Sequence, residues 1–177
     1  MSGSVVGIEL NLGYAGTRSR SITDIVTPRQ LKSVVTDGVE TLAPVLFGEP
    51  VVLNTDNTYS RFGAVGTVAT FGGIAVREVK QASDYYAASG SYLPGDIIDV
   101  LSLGSMTVKC NVGTPTAGGK VYIRILANVA VPLGVVGQFE AAADSTNTLE
   151  ITNLRWKTGK LDSNKIAELT MLTRSNA

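Results

Sequence analysis

The sequence predicts an all-β fold: a compact antiparallel β-barrel or sandwich domain with an extended N-terminal arm. Three observations carry this. Apolar, β-branched segments recur about every ten residues, separated by turn signals rich in Gly, Pro and Asn. No segment keeps an amphipathic helical period beyond two turns. Glycine is frequent, 19 of 177 residues, while charged residues make up only 17%. That balance suits a turn-rich protein, and also one whose surface is partly covered by other subunits.

Residues 1–45 read as the arm. In GYAGTRSRSITDIVTPRQLKSVVTDG the apolar side chains are isolated, and Arg18, Arg20 and Arg29 punctuate the run. Thr27-Pro28 has the form of a helix start, with Leu31, Val34 and Val35 at helical spacing. Val34-Val35-Thr36 favours strand as well, so the arm reads as extended, with one helical turn as the alternative.

Residues 46–177 read as the β-barrel-like domain. EPVVLNTDNTYSRFG is strand, polar turn at Asn54–Asn57, and short strand. FGGIAVREVKQ alternates from Ile74, with Ile74, Val76, Glu78 and Lys80 on one side. SDYYAASGSYLPG is a loop, and DIIDVLSLGSMTVKCNV reads as two strands broken at Gly104. After the GTPTAGG loop, KVYIRILANVAV places Val121, Ile123 and Ile125 on one face and Tyr122, Arg124 and Leu126 on the other. LGVVGQFEA and NTLEITNLRWKTG follow as short strands, and KIAELTMLTR closes the domain.

The totals exclude several classes. With 15 basic and 15 acidic residues the net charge is zero, which argues against nucleic acid as the main partner. One cysteine, Cys110, excludes an intrachain disulfide, and the lack of histidine removes the commonest general base and zinc ligand. MSGSVVGIEL lacks the basic start and apolar core of a signal peptide, so synthesis in the cytoplasm is expected. The uncharged run Phe62–Val76 holds four Gly and two Thr and is too short to span a membrane as a helix.

Candidate chemistry fails on spacing. In GTPTAGGKV the first glycine of a phosphate loop would fall on Thr114, and Val121 follows Lys120. Asp96 and Asp99 point to opposite faces of a strand, and Asp96 instead closes the Pro94-Gly95 turn. NTDNT lacks the Gly and the distant Glu of a calcium loop. Ser105 and Lys109 lie too far apart on a strand to bond, and Cys110 reads as a small buried thiol. No catalytic, cofactor or metal residue is therefore assigned. The candidate contacts are Tyr14, Arg18 and Arg20 on the arm, and Tyr85, Tyr86 and Tyr92 in a loop whose composition resembles a protein-binding surface.

Four stretches in order, FGEPVVLNTDNTYSRFG, FGGIAVREVKQ, YLPGDIIDVLSLGSMTVKCNVGTPTAGGKVYIRI and FEAAADSTNTLEITNLRWKTGKLDSNKIAELTMLTR, resemble the tailed-phage structural cement proteins, a capsid decoration protein family. GYAGTRSRSITDIV is similar to the arm of that family. The resemblance implies a homotrimer with no cofactor. It would be made in the bacterial cytoplasm and bound through the major capsid protein to the outer surface of an expanded icosahedral head, without catalysis, nucleic acid or membrane. It also implies that NLRWKTGKLDSNKIAELTML is the closing hairpin. Thr158-Gly159 would turn, Leu161–Asn164 would loop, and Ile166, Glu168, Thr170 and Leu172 would form one face of the last strand. Two alternatives remain: a tail or baseplate β-protein, and a glycan-binding β-sandwich module.

Overall fold

In the computed structural model, residues 11–19, 23–78 and 90–174 are described. They are nearly all β, with a single 3-10 turn at Ser145–Asn147 and no α-helix among them. The spine is β9, Ile97–Lys109, a strand of 13 residues. Its first half pairs with β1 (Ile25–Gln30) and β7 (Phe71–Ala75). Its second half pairs with β13 (Ile166–Met171). Beyond β7 lie β5 (Pro50–Leu53) and β6 (Tyr59–Arg61), and beyond β13 lie β12 (Thr148–Leu161), β10 (Lys120–Arg124) and β11 (Phe139–Glu140). All these pairings are antiparallel, within one nine-stranded sheet.

The sheet curls into a half-barrel because its two halves bury one common core. Val52, Phe71, Ile74 and Leu101 from one half meet Met106, Val121, Ile123, Leu154, Trp156 and Leu169 from the other. The two ends of the strand order then approach each other. Arg61 on β6 donates to the carbonyl of Val136 just before β11 (3.3 Å), and Gln138 donates to Glu49 beside β5 (3.0 Å). A second cluster, including Leu31, Val51, Tyr59, Tyr92 and Val100, covers the opposite face of the first half. It is roofed by the short pair β4 (Val45–Leu46) and β8 (Ser91–Tyr92). Burial on both faces explains why PVVL and FGGIA read as continuous apolar runs.

Several local readings change. Gly104 does not break β9. It takes φ +123°, and the carboxylate of Asp24 occupies the space its Cβ would fill. The register opposite β1 slips just before it, between Leu101 and Leu103. A bulge beside a glycine bends a strand without ending it. Thr27-Pro28 starts no helix. It lies inside β1, where an outer strand tolerates the missing N–H of Pro28, and Leu31 beyond it is buried. β10 stops at Arg124, and only Phe139–Glu140 of LGVVGQFEA is strand. The closing hairpin turns later than expected. β12 continues through Gly159, whose φ of +60° and close approach to the Ala117 backbone serve a bulge. The turn is Asp162–Lys165, where Asp162 accepts from the N–H groups of Asn164 (2.9 Å) and Ile166 (2.8 Å). In β13 the core side is Ala167, Leu169 and Met171, leaving the Glu168 and Thr170 side outermost.

Candidate interaction surfaces

The buried charges are spent on structure. Glu49 accepts from the Nε and Nη2 of Arg61 (3.1 and 3.0 Å), from Gln138, and from the N–H of Leu46 (3.1 Å). Arg124 is fully buried. It holds Glu140 bidentately and reaches Asp144 at 2.8 Å. Its pairing with Glu140 outweighs the desolvation and raises its pKa, while hydrogen bonds from Asn128 and then Arg124 lower that of Asp144. Burial pushes the Cys110 thiol up to about 11, as expected of a small thiol enclosed in the core. No cluster of three potential metal ligands exists among the described residues. A cavity of about 360 Å³ opens between the Gly13–Ala15 segment, Phe47, Glu49, Phe139 and Ile166.

The sequence-predicted contacts separate. Gly16–Ser19 runs along the second half of β9, with Gly16 and Ser19 donating to the carbonyls of Thr107 (2.7 Å) and Ser105 (2.9 Å). This registers Arg18 opposite Met106, its side chain exposed. Tyr14 is 54% exposed, and the Arg77 guanidinium lies 4.1 Å from its ring centre. Tyr14 and Arg18 therefore share one strip of surface, fastened to β9. Tyr92 is not an exposed contact. It is 1% exposed, its hydroxyl donates to the carbonyl of Val76 (2.8 Å), and its ring packs edge-on against Phe47. The second cluster encloses its ring, which withdraws Tyr92 from the candidate contacts of that loop. Arg20, Tyr85 and Tyr86 lie outside the described residues.

Two projections were missed. The first is a hairpin, β2 (Val35–Thr36) and β3 (Val39–Glu40), standing apart from the main sheet. Asp37 and Gly38 turn it with φ of 52° and 79°, the signature of a two-residue turn and a signal present in TDG. Glu40 anchors it by accepting from Ser33, from the N–H of Val34 (3.0 Å) and from that of Leu42 (2.8 Å). Val34, Val35 and Val39 are left exposed. The second is the loop from Ile125 to Gln138, in which no residue is charged. The two charges that bracket it, Arg124 and Glu140, bond each other inside the protein.

A family model described as the XM1 gp53 minor capsid protein matches residues 3–171. The chain belongs to the XM1 gp53 minor capsid protein family. Among solved structures, a chain of "The capsid of Myoviridae Phage XM1" is similar at a TM-score of 0.66 and 16% identity, covering 94% of this chain and 93% of that one. At that identity the likeness speaks for the fold. No curated protein sequence matches. Family membership makes this a phage minor capsid protein, a component of the virion associated with the capsid, and the projections above are surfaces of such a component.

Proposed function

We propose that this minor capsid protein is a non-enzymatic cement protein that binds the outer surface of an expanded icosahedral capsid and bridges subunits of the major capsid protein as a homotrimer. The observation that supports this most is membership of a minor capsid family by a chain whose buried charged side chains are tied up in structural bonds. A cement acts by mass action: it binds the assembled shell and not its separated subunits, so it lowers the free energy of the shell. Contacts made by several copies in one oligomer become intramolecular after the first, which multiplies affinity.

The strip carrying Tyr14 and Arg18 is the proposed capsid contact. Because its backbone is already bonded to β9, less ordering entropy is lost on binding than for a free arm. The test is co-sedimentation of purified protein with expanded capsids that lack it. Saturable binding at hundreds of copies per particle, with heat-resistant loaded shells, is the expected result. Binding of only a handful of copies would favour a tail or baseplate role. Tyr14→Ala with Arg18→Ala should weaken binding at least tenfold, and unchanged binding would move the contact elsewhere.

A further inference from the structure

The cavity beside the Gly13–Ala15 segment, about 360 Å³, falls within the roughly 300–1,000 Å³ of ligand sites. Tyr14, Phe47, Phe139 and Ile166 give it apolar walls. These four come from separate parts of the chain. Tyr14 lies on the strip fastened to β9, and Phe47 directly follows β4. Phe139 and Ile166 begin β11 and β13 of the main sheet and are buried. The cavity is thus built where the strip, the β4–β8 roof and the two strands meet.

Its polar groups decide the charge of what it can hold. Glu49 in the wall already accepts four hydrogen bonds, from the Nε and Nη2 of Arg61, from Gln138 and from the N–H of Leu46. A carboxylate has about four such acceptor sites, so Glu49 has none left for a ligand. Gln138 is held in turn between Glu49 and Asn111. A cation therefore finds no open carboxylate here. The positive groups, in contrast, are uncommitted. Lys109 lines the cavity from the exposed end of β9, and among the described residues it has no carboxylate partner. Arg77, whose guanidinium lies 4.1 Å from the Tyr14 ring centre, has none either.

We propose that this cavity takes an apolar side chain of the major capsid protein that stands beside an Asp or Glu. The side chain fills the space between the aromatic walls, and the neighbouring carboxylate pairs with Lys109 in a charge-assisted bond. Arg77 adds to the positive potential on the Tyr14 side. The assignment rests on the cement reading, and adds which chemistry of the shell is recognised. Tyr14 links the two, since the proposed capsid contact is itself a wall of the cavity. A recessed apolar site also suits a protein that must stay soluble before it meets the shell, because the walls are hidden until an anchor enters.

Co-sedimentation of the full chain with expanded capsids that lack it tests this, using Lys109→Glu, Lys109→Arg and Leu46→Trp. Lys120→Glu makes the same charge change on a lysine that does not line the cavity. Leu46 does line it and is 37% exposed, so an indole there blocks the cavity without entering the core. Circular dichroism confirms the fold of each variant. The wild type, Lys109→Arg and Lys120→Glu should bind alike, and Lys109→Glu and Leu46→Trp at least tenfold more weakly. Full binding by either of these two overturns the assignment and leaves the cement reading standing. If, in addition, calorimetry shows the wild type to bind octanoate, a carboxylate on an apolar chain, the cavity passes to a small amphipathic acid. A folded wild type that does not sediment with capsids overturns the assignment and the cement reading together.

Discussion

The β2–β3 hairpin and the loop after Arg124 present the same kind of surface, valines and leucines in solvent, on opposite kinds of foundation. The hairpin is held by its own bonds, chiefly Glu40 to Ser33, Val34 and Leu42. The loop is rooted in a buried guanidinium with two carboxylates. The difference teaches that equal exposure can stand on unequal rigidity. A tip whose stiffness comes from the core is preorganised and loses little entropy on docking, whereas a self-held hairpin is free to adapt.

The largest break in that comparison should come from Arg124→Ala. Glu140 would be left buried and unpaired, so global stability should fall by about 3–5 kcal/mol in urea unfolding. A much smaller loss would mean that water reaches Glu140 and that the loop is not rooted. Next comes Gly134→Ala, which overpacks the guanidinium and should cost about 1–3 kcal/mol while loosening the loop. Gly38→Ala should cost about 1 kcal/mol through its positive φ, but locally. Faster amide exchange at Thr41, which bonds the Val34 carbonyl, with an unchanged urea midpoint is the expected pattern. A shifted midpoint would show the hairpin to be coupled to the barrel after all.

Acid should separate the two regions more gently. The Asp144 carboxyl is lowered in the folded state, so its contribution is complete above the unfolded carboxylate pKa of about 3.9 and is lost as pH falls through the folded value. The stability gap between wild type and Asp144→Asn should therefore close on acidification below about pH 4. Alkali acts just beyond the end of the spine. Cys110 keeps its proton in the fold up to about pH 11 but loses it near 8.5 when unfolded, so stability should decline progressively as pH rises above about 8.5, and this decline should be absent in Cys110→Ala.

Much of the fold was legible. NTDN turned as read because Asn57 tolerates a φ of 67°, and Asp96 closes its turn by accepting from the N–H of Leu93. The bend at Gly104 was not legible, because an isolated glycine in a strand pattern signals a break or a bulge equally, and only Asp24, 80 positions earlier, decides between them. Arg124 alternated outward on paper. Its burial depends on Glu140 and Asp144 arriving from other segments. The uncharged run after it imitates a strand in composition, and only its short turns reveal otherwise. Tyr92 illustrates the limit of composition, since a tyrosine among Ser and Gly looks the same whether it faces solvent or roofs a core.

The centrality of β9 also sets a clock. It is sandwiched between β1, some seventy positions before it, and β13, some sixty after it, with none of its long pairings local. Chains whose contacts are that distant in sequence fold slowly and late. During translation the first half of the barrel waits with one flank of its spine open until residue 171 has left the ribosome. The loop after Arg124 takes its rigid form only with Glu140 and Asp144 in place, so a nascent chain cannot present that surface early.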